Sequence, residues 1–202
     1  QNFLLLQNIT QSLAGRAAIL KLLPFGLTEL SGAGFKFEKY EDLIFKGLYP
    51  GIYDKNIDPS FFYPSYINTY IEKDVRQIKN IENLNSFSGF LQLCAGRTGQ
   101  ILNLNSLATD AGISPNTAKS WLSILEASFI IYLLQPYHKN YNKRIIKSNK
   151  LYFYDTGLVC SLLGINGPQQ VQTYYAKGAL FENIIINEFI KNSYHNGETP
   201  RY

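Results

Sequence analysis

Residues 105–134, NSLATDAGISPNTAKSWLSILEASFIIYLL, decide the fold. Asn105 or Ser106 can cap a short helix that runs from Ser106 to Ala111, because the side-chain oxygen of a cap accepts a free backbone N–H. Gly112 follows this helix, and glycine is the residue that tight turns favour. The sequence therefore predicts a short helix and a turn directly before a second helix.

The second helix has a cap, a buried stripe and a polar outer stripe. Ser114 can cap it, and Pro115 can take its first position, where a backbone N–H is not needed. Apolar residues three or four apart predict the buried stripe: Ala118, Trp121, Leu122 and Leu125. Short or basic hydrogen-bonding residues, as a helix entering a major groove requires, lie on the opposite face: Asn116, Lys119, Ser120 and Ser123. These features together predict a helix-turn-helix that presents four DNA-binding residues.

Two apolar runs with a basic stretch between them follow. Residues 129–134 and 151–154 predict two strands, and residues 139–150 carry five positive side chains and no acid. Two strands joined by a basic loop after a recognition-type helix predict a winged helix. Its wing would bring four basic residues to the phosphate backbone: Lys139, Lys143, Arg144 and Lys147. The alternatives are a solvated loop, and a winged helix that serves for protein docking or as a rigid part of a larger enzyme.

The remaining patterns are mainly helical. Helices are predicted at about residues 11–22, from Pro64 onwards and at about residues 84–95. Asp155 ends an apolar strand and is predicted to cap a helix that begins near Thr156. The overall prediction is a mainly α fold with a small β component, that is, an α+β protein.

The composition excludes several classes of protein. With 46% hydrophobic and 17% charged residues, the chain of 202 residues is globular and not disordered. Cys94 and Cys160 are far apart in sequence and have no metal-ligand spacing, so we expect buried thiols of a cytoplasmic protein. No apolar run is long enough to span a membrane, and no membrane partner is expected. The two histidines, His138 and His195, leave little material for a histidine-based catalytic or metal site.

Four stretches carry a resemblance to a known family: SLAGRAAILKLLPFGLTEL (12–30), YINTYIEKDVRQI (66–78), residues 90–158, and KGALFENIIINEFIK (177–191). The chain resembles bacterial and archaeal AAA-type ATPases with a C-terminal domain of uncharacterised function. The resemblance implies a nucleotide-binding domain, then a winged helix, then a restriction-endonuclease-like α/β domain. Since both ends of the chain look cut, we expect a fragment that lacks the nucleotide-binding core.

The resemblance implies three segments. Residues 1–83 would be the end of the ATPase core with a helical, lid-like connector. Residues 84–165 would be the winged helix-turn-helix, and residues 166–202 the first helix of a truncated, nuclease-like α/β domain.

The resemblance also implies site residues and cofactors. ATP and Mg²⁺ are expected in the complete protein, but none in this fragment, because it has no G-x-x-x-x-G-K-[ST] loop. Arg16 would be an arginine finger that meets the γ-phosphate, or else a structural arginine. Glu182 would help to hold a divalent metal ion, or else be a helix-face charge or ion-pair partner.

Three functions remain open at this level. The first is a winged helix that binds DNA or couples nucleotide state to a partner. The second is a protein-interaction or oligomerisation module, for which 15 Tyr and 13 Phe could supply an aromatic docking patch. The third is part of a metal-dependent nuclease completed outside the fragment. An apolar surface over the second helix of the helix-turn-helix would favour docking, and a basic one would favour DNA.

Overall fold

The computed structural model describes residues 21–75, 81, 83–136 and 148–198. These residues are mainly helical and include one antiparallel two-stranded sheet, which confirms the α+β class in its broad form. The main hydrophobic core runs from Leu30 to Ile184 and draws on all three predicted segments. Among the described residues, every helix is too short or too polar to cross a bilayer.

The N-terminal part consists of short helices: α1 (Leu27–Gly32), α2 (Tyr40–Lys46), α3 (Pro50–Asp54) and α4 (Pro59–Thr69), which continues into one π-helical segment (Tyr70–Val75). Periodicity predicted that this helix starts at Pro64, but α4 begins five residues earlier, at Pro59. The reason is local: the Ser60 N–H donates to the Asp58 side chain (2.8 Å), and Pro59 occupies the first helical position.

The middle part contains three helices and a hairpin: α5 (Leu84–Ala95), α6 (Leu104–Asp110), α7 (Pro115–Ala127), β1 (Ile131–Leu134) and β2 (Lys150–Phe153). Strands β1 and β2 are antiparallel, with Ile131 opposite Phe153 and Leu134 opposite Lys150. Residues 99–102 lie along the other edge of β2, where the Gly99 N–H donates to the Leu151 carbonyl (2.7 Å). The order along the chain is therefore helix, short extended segment, helix, helix and hairpin.

The helix-turn-helix region follows the predicted pattern except at one cap. The predicted cap of α6, Asn105 or Ser106, was wrong, because the Ser106 N–H donates to Asn103 Oδ1 (3.0 Å) and the helix starts at Leu104. Gly112 has a φ of 64° in the turn. Ser114 Oγ accepts the Thr117 N–H (3.0 Å) at the start of α7, as predicted. The predicted inner stripe of α7 is buried: Ala118, Trp121, Leu122 and Leu125.

The C-terminal part consists of α8 (Thr156–Leu162), α9 (Pro168–Thr173) and α10 (Lys177–His195). Successive residues of a strand point to opposite faces of a sheet. Accordingly, Leu151 and Phe153 belong to the main core, whereas Tyr152 belongs to a second apolar cluster that contains Ile190 of α10. The hairpin is thus packed between the three-helix unit on one face and α10 on the other.

Candidate nucleic-acid interface

The outer face of α7 holds the four residues predicted to contact DNA. Asn116, Lys119 and Ser123 are exposed, and Ser120 is half-buried. Ser123 Oγ donates to the Lys119 carbonyl (3.0 Å), so its hydroxyl oxygen faces solvent with acceptor capacity left. The helix therefore presents amide, ammonium and hydroxyl groups along one side.

The opposite side of α7 is anchored by its one tryptophan. The Trp121 ring meets the rings of Phe87 and Phe90 edge to face, with centroids 5.2 and 5.3 Å apart. Such aromatic contacts add stabilisation beyond their buried area. The inner face of α7 is therefore packed against two aromatic rings of α5, and this packing fixes the position of its outer residues.

The outer face of α7 carries one exposed charge, which is positive. All residues of α7 are described, and Lys119 is its one exposed charged residue; Glu126 is half-buried, and burial raises its pKa. The large apolar side chains exposed on the described part of the molecule lie outside α7. Four predicted wing residues, Lys139, Lys143, Arg144 and Lys147, lie outside the described residues. Arg16 also lies outside them.

Lys150, the last residue of the basic stretch, is paired with α10. Its Nζ lies 2.8 Å from Glu182 Oε1, and the Tyr152 hydroxyl donates to the same carboxylate oxygen. The hydrogen bonds from Lys150 and then Tyr152 lower the pKa of Glu182, so that its carboxylate is charged at neutral pH. These are the contacts of an ion-pair partner.

The described surroundings of Glu182 hold no pair of further acidic, histidine or cysteine ligands grouped with it. The contacts of the Glu182 carboxylate with Lys150 and Tyr152 are both made by Oε1. Among the described residues, no group of three or more His, Cys, Asp or Glu could hold a metal ion. Glu182 as a metal ligand therefore stays a prediction from the resemblance.

Two asparagines fasten α10 to β2. Asn183 accepts the Phe153 N–H (3.1 Å) and donates to the Phe153 carbonyl (2.7 Å), as a neighbouring strand would. It also accepts the Thr98 hydroxyl (2.9 Å). Asn187 donates to the same carbonyl (3.0 Å) and accepts the Tyr132 hydroxyl (2.9 Å). Neither residue was predicted from the sequence, although two asparagines four apart on the inner stripe of an amphipathic helix are a signal for such a role.

A buried lysine and a glutamate fasten α10 to residues 25–27, where α1 begins. Lys191 is 1% exposed, and its Nζ donates to the Phe25 carbonyl (3.0 Å). Burial lowers the pKa of Lys191 to about 8, and the nearby charges of Asp155 and Glu188 offset part of that shift. One turn away, Glu188 accepts the Leu27 N–H (2.7 Å). Neither contact was predicted from the sequence.

Asp155 caps α8, as predicted, and also joins three parts of the chain. It accepts the Leu158 N–H (2.9 Å), the Leu48 N–H (2.6 Å) and the Tyr63 hydroxyl (2.7 Å). Both carboxylate oxygens are thus engaged, and the residue is 1% exposed. Gly157 lies so close to the Tyr63 ring that a Cβ would meet its hydroxyl oxygen at 2.3 Å. The three hydrogen bonds of Asp155 therefore all join it to other parts of the same chain.

Arg97 closes the end of α5. Its Nη1 donates to the Leu93 carbonyl (3.1 Å), and its Nη2 is paired with Asp110 of α6. These contacts place Arg97 at the end of α5, where it caps a carbonyl and joins α5 to α6. Arg97 and the exposed Tyr175 line an open cleft of about 800 Å³ over α5 and α6.

A family model described as a domain of unknown function, DUF8612, matches residues 37–169. The chain belongs to this family. Two uncharacterized proteins, from Mycobacterium bovis and Mycobacterium tuberculosis, are each 25% identical over 181 residues. The alignment covers 89% of this chain and 40% of each relative, so the chain spans less than half of their length. No solved structure matches the chain significantly.

The DUF8612 match includes the three-helix unit, the hairpin and Asp155. Helix α10, with Glu182 and Lys191, lies beyond residue 169 and outside the match. In this chain, however, α10 covers one face of the hairpin and supplies hydrogen bonds to Phe153. The DUF8612 domain of this chain is therefore packed against a helix outside the matched range.

Proposed function

We propose that this chain is the DNA-binding part of a larger protein and that residues 84–165 form a winged helix. The order of helices, extended segment and hairpin supports the winged-helix interpretation. The observation that carries the proposal is the outer face of α7, which is polar, has a single exposed charge that is positive, and has no exposed large apolar side chain.

The roles of the residues follow from their chemistry. Asn116 and Lys119 can hydrogen-bond to the edges of purines in a major groove, and Ser120 and Ser123 can bond to either donors or acceptors. The basic residues between β1 and β2 would neutralise backbone phosphates: Lys139, Lys143, Arg144 and Lys147. Base contacts would set the preferred sequence, and phosphate contacts most of the affinity.

A salt series tests this proposal. Fluorescence anisotropy with a mixed-sequence duplex between about 50 and 200 mM salt should give an affinity that falls steeply with salt. Lys143→Glu combined with Arg144→Glu should weaken binding and flatten the salt dependence. The control Lys36→Glu combined with Lys39→Glu, which makes the same charge change at two exposed residues far from α7 in sequence, should have a much smaller effect. Binding that the double variant leaves unchanged would remove the proposal.

The larger protein is proposed to be an AAA-type ATPase in which ATP and Mg²⁺ bind outside this chain. The resemblance supports this, and the relatives are long enough to hold a further domain. Two buried free thiols support a cytoplasmic location. Arg16→Ala in the complete protein should abolish ATP hydrolysis but leave nucleotide binding intact; unchanged hydrolysis would leave Arg16 with a structural role. A metal-dependent nuclease would need ligands from elsewhere in the protein.

A second candidate function is self-association, and a different surface favours it. Phe181, Ile185 and Phe189 are 44%, 40% and 74% exposed and lie four residues apart along α10. Because the three are symmetric about Ile185, a second copy packed antiparallel would place Phe181 beside Phe189. The three side chains cover far less than the roughly 800 Å² per partner of a stable interface, so the dimer would be weak.

Sedimentation equilibrium tests self-association. Ile185→Glu should shift the chain towards monomer, and Gln172→Glu, which adds the same charge at an exposed position of α9, should not. A wild-type chain that stays monomeric at high concentration would exclude the proposed dimer.

A further inference from the structure

The pairing of Lys150 with Glu182 bears on DNA binding, and its interpretation rests on the proposed function. Lys150 is the first residue of β2, at the end of the hairpin where the basic stretch enters the sheet. Its ammonium is the one basic group of the stretch 139–150 that lies among the described residues. It contacts a carboxylate of α10 at 2.8 Å.

The position of Glu182 is fixed by its neighbours. Asn183, the next residue, holds both the N–H and the carbonyl of Phe153, so the first turns of α10 cannot slide along β2. The Tyr152 hydroxyl orients the Glu182 carboxylate from the neighbouring position on the same strand as Lys150. The backbone and the carboxylate of Glu182 are therefore both positioned next to Lys150 by neighbouring contacts.

The pair is also easily opened. The side chains of Lys150 and Glu182 are 41% and 42% exposed, and half-exposed ion pairs are weak because solvent screens them. A phosphate offers the ammonium the same kind of acceptor oxygen as a carboxylate. A DNA backbone, with its high density of negative charge, can thus replace Glu182 as the partner of Lys150.

We propose that Glu182 occupies Lys150 in the free protein in place of a DNA phosphate, and that DNA binding exchanges one partner for the other. Helix α10 then lowers the affinity of the wing for nucleic acid without contacting it. Affinity would rise when the acid is neutralised, and the gain would depend on Lys150 being present.

A double-variant cycle tests the exchange. Glu182→Gln keeps an acceptor for the Tyr152 hydroxyl but removes the charge, and should tighten binding to a mixed-sequence duplex about two- to fivefold. It should also steepen the logarithmic salt dependence by about 0.9, the value of one further phosphate contact. Glu198→Gln removes the same charge from an exposed site near the chain's end and should give a clearly smaller change. In a Lys150→Gln background, Glu182→Gln should give no gain.

The outcomes separate the two proposals. If the wild type binds DNA and Glu182→Gln behaves like Glu198→Gln, the exchange is wrong and the proposed function stands. A gain that survives in the Lys150→Gln background would also overturn the exchange, because it would then be a general charge effect. If no variant binds DNA at the lowest salt, both proposals fail. Equal thermal unfolding midpoints of wild type and Glu182→Gln exclude a folding defect.

Discussion

The buried ammonium of Lys191 gives the sharpest prediction on stability. In the folded chain, Lys191 is 1% exposed and its pKa is lowered to about 8, mainly by burial. The ordinary value, 10.5, applies to the unfolded chain. Below about pH 8 the lysine is charged in both states, and the folded state bears the full cost of burying that charge. Between about pH 8 and 10.5 the folded state releases the proton while the unfolded state keeps it, so stability rises with pH.

The size of the effect follows from the pKa difference. Each unit of pKa difference corresponds to about 1.4 kcal/mol, so the contribution of Lys191 to the unfolding free energy should rise by ~2 kcal/mol between about pH 7 and 9.5. Cys94 and Cys160 act in the opposite direction, because burial raises the pKa of each thiol to about 12. The lysine effect must therefore be read as a difference between wild type and a variant that shares these thiols.

Urea unfolding of wild type and Lys191→Met across that pH range measures the difference. Loss of the donor to the Phe25 carbonyl should lower the variant's stability by an amount that does not vary with pH. The pH-dependent part, a wild-type gain of ~2 kcal/mol relative to the variant, should appear on top of it. Lys177→Met, which removes an exposed lysine from the same helix, should run parallel to wild type. Parallel curves for wild type and Lys191→Met would refute the reasoning.

Three further predictions concern packing and burial. Asn183→Leu should lower the unfolding free energy by roughly 2–4 kcal/mol in urea titrations, because a buried backbone N–H and carbonyl lose partners. Asn192→Leu at an exposed site of the same helix is the control, and equal losses would show that the bonds from Asn183 to Phe153 do not hold α10 on β2. Trp121→Ala should cost about 3–5 kcal/mol by the same assay, and a cost under about 1 kcal/mol would show that the contacts with the α5 rings do not anchor α7. Cys94 and Cys160 should react with a thiol reagent only after denaturation, since both are buried; rapid labelling of the native chain would count against the core described.

The sequence predicted the parts of the fold whose signals are local. The cap at Ser114, the turn at Gly112 and the spacing of the inner stripe of α7 all lie within a few residues of the structure they specify. The cap of α6 was misplaced because three residues able to cap a helix, Asn103, Asn105 and Ser106, follow one another closely.

The helices before α4 could not be placed for a different reason. Helices α2 and α3 have seven and five residues, and neither has a side-chain cap. Helices this short are not stable alone and form because Ile44 and Ile52 are buried in the main core. Helices that depend on tertiary packing in this way cannot be predicted from the local sequence pattern.

The candidate site also has a part that could be predicted from local sequence and a part that could not. The polar outer stripe of α7 follows from helical spacing, so Asn116, Lys119 and Ser123 could be placed from sequence. The partner of Lys150 could not, because Glu182 is 32 residues away and only the packing of α10 on the hairpin brings the two together. Sequence offered an ion pair for Glu182 as one alternative but could not name the lysine.

Amide chemical-shift mapping tests the central claim most directly. The ¹⁵N-labelled chain would be titrated with a short mixed-sequence duplex, and the perturbed amides assigned. We predict that the largest shifts fall on α7 around Asn116 and Lys119 and on the basic stretch 139–150, and that they are lost at high salt. Shifts that cluster on the apolar stripe of α10, or a spectrum that DNA leaves unchanged, would contradict a nucleic-acid role for this chain.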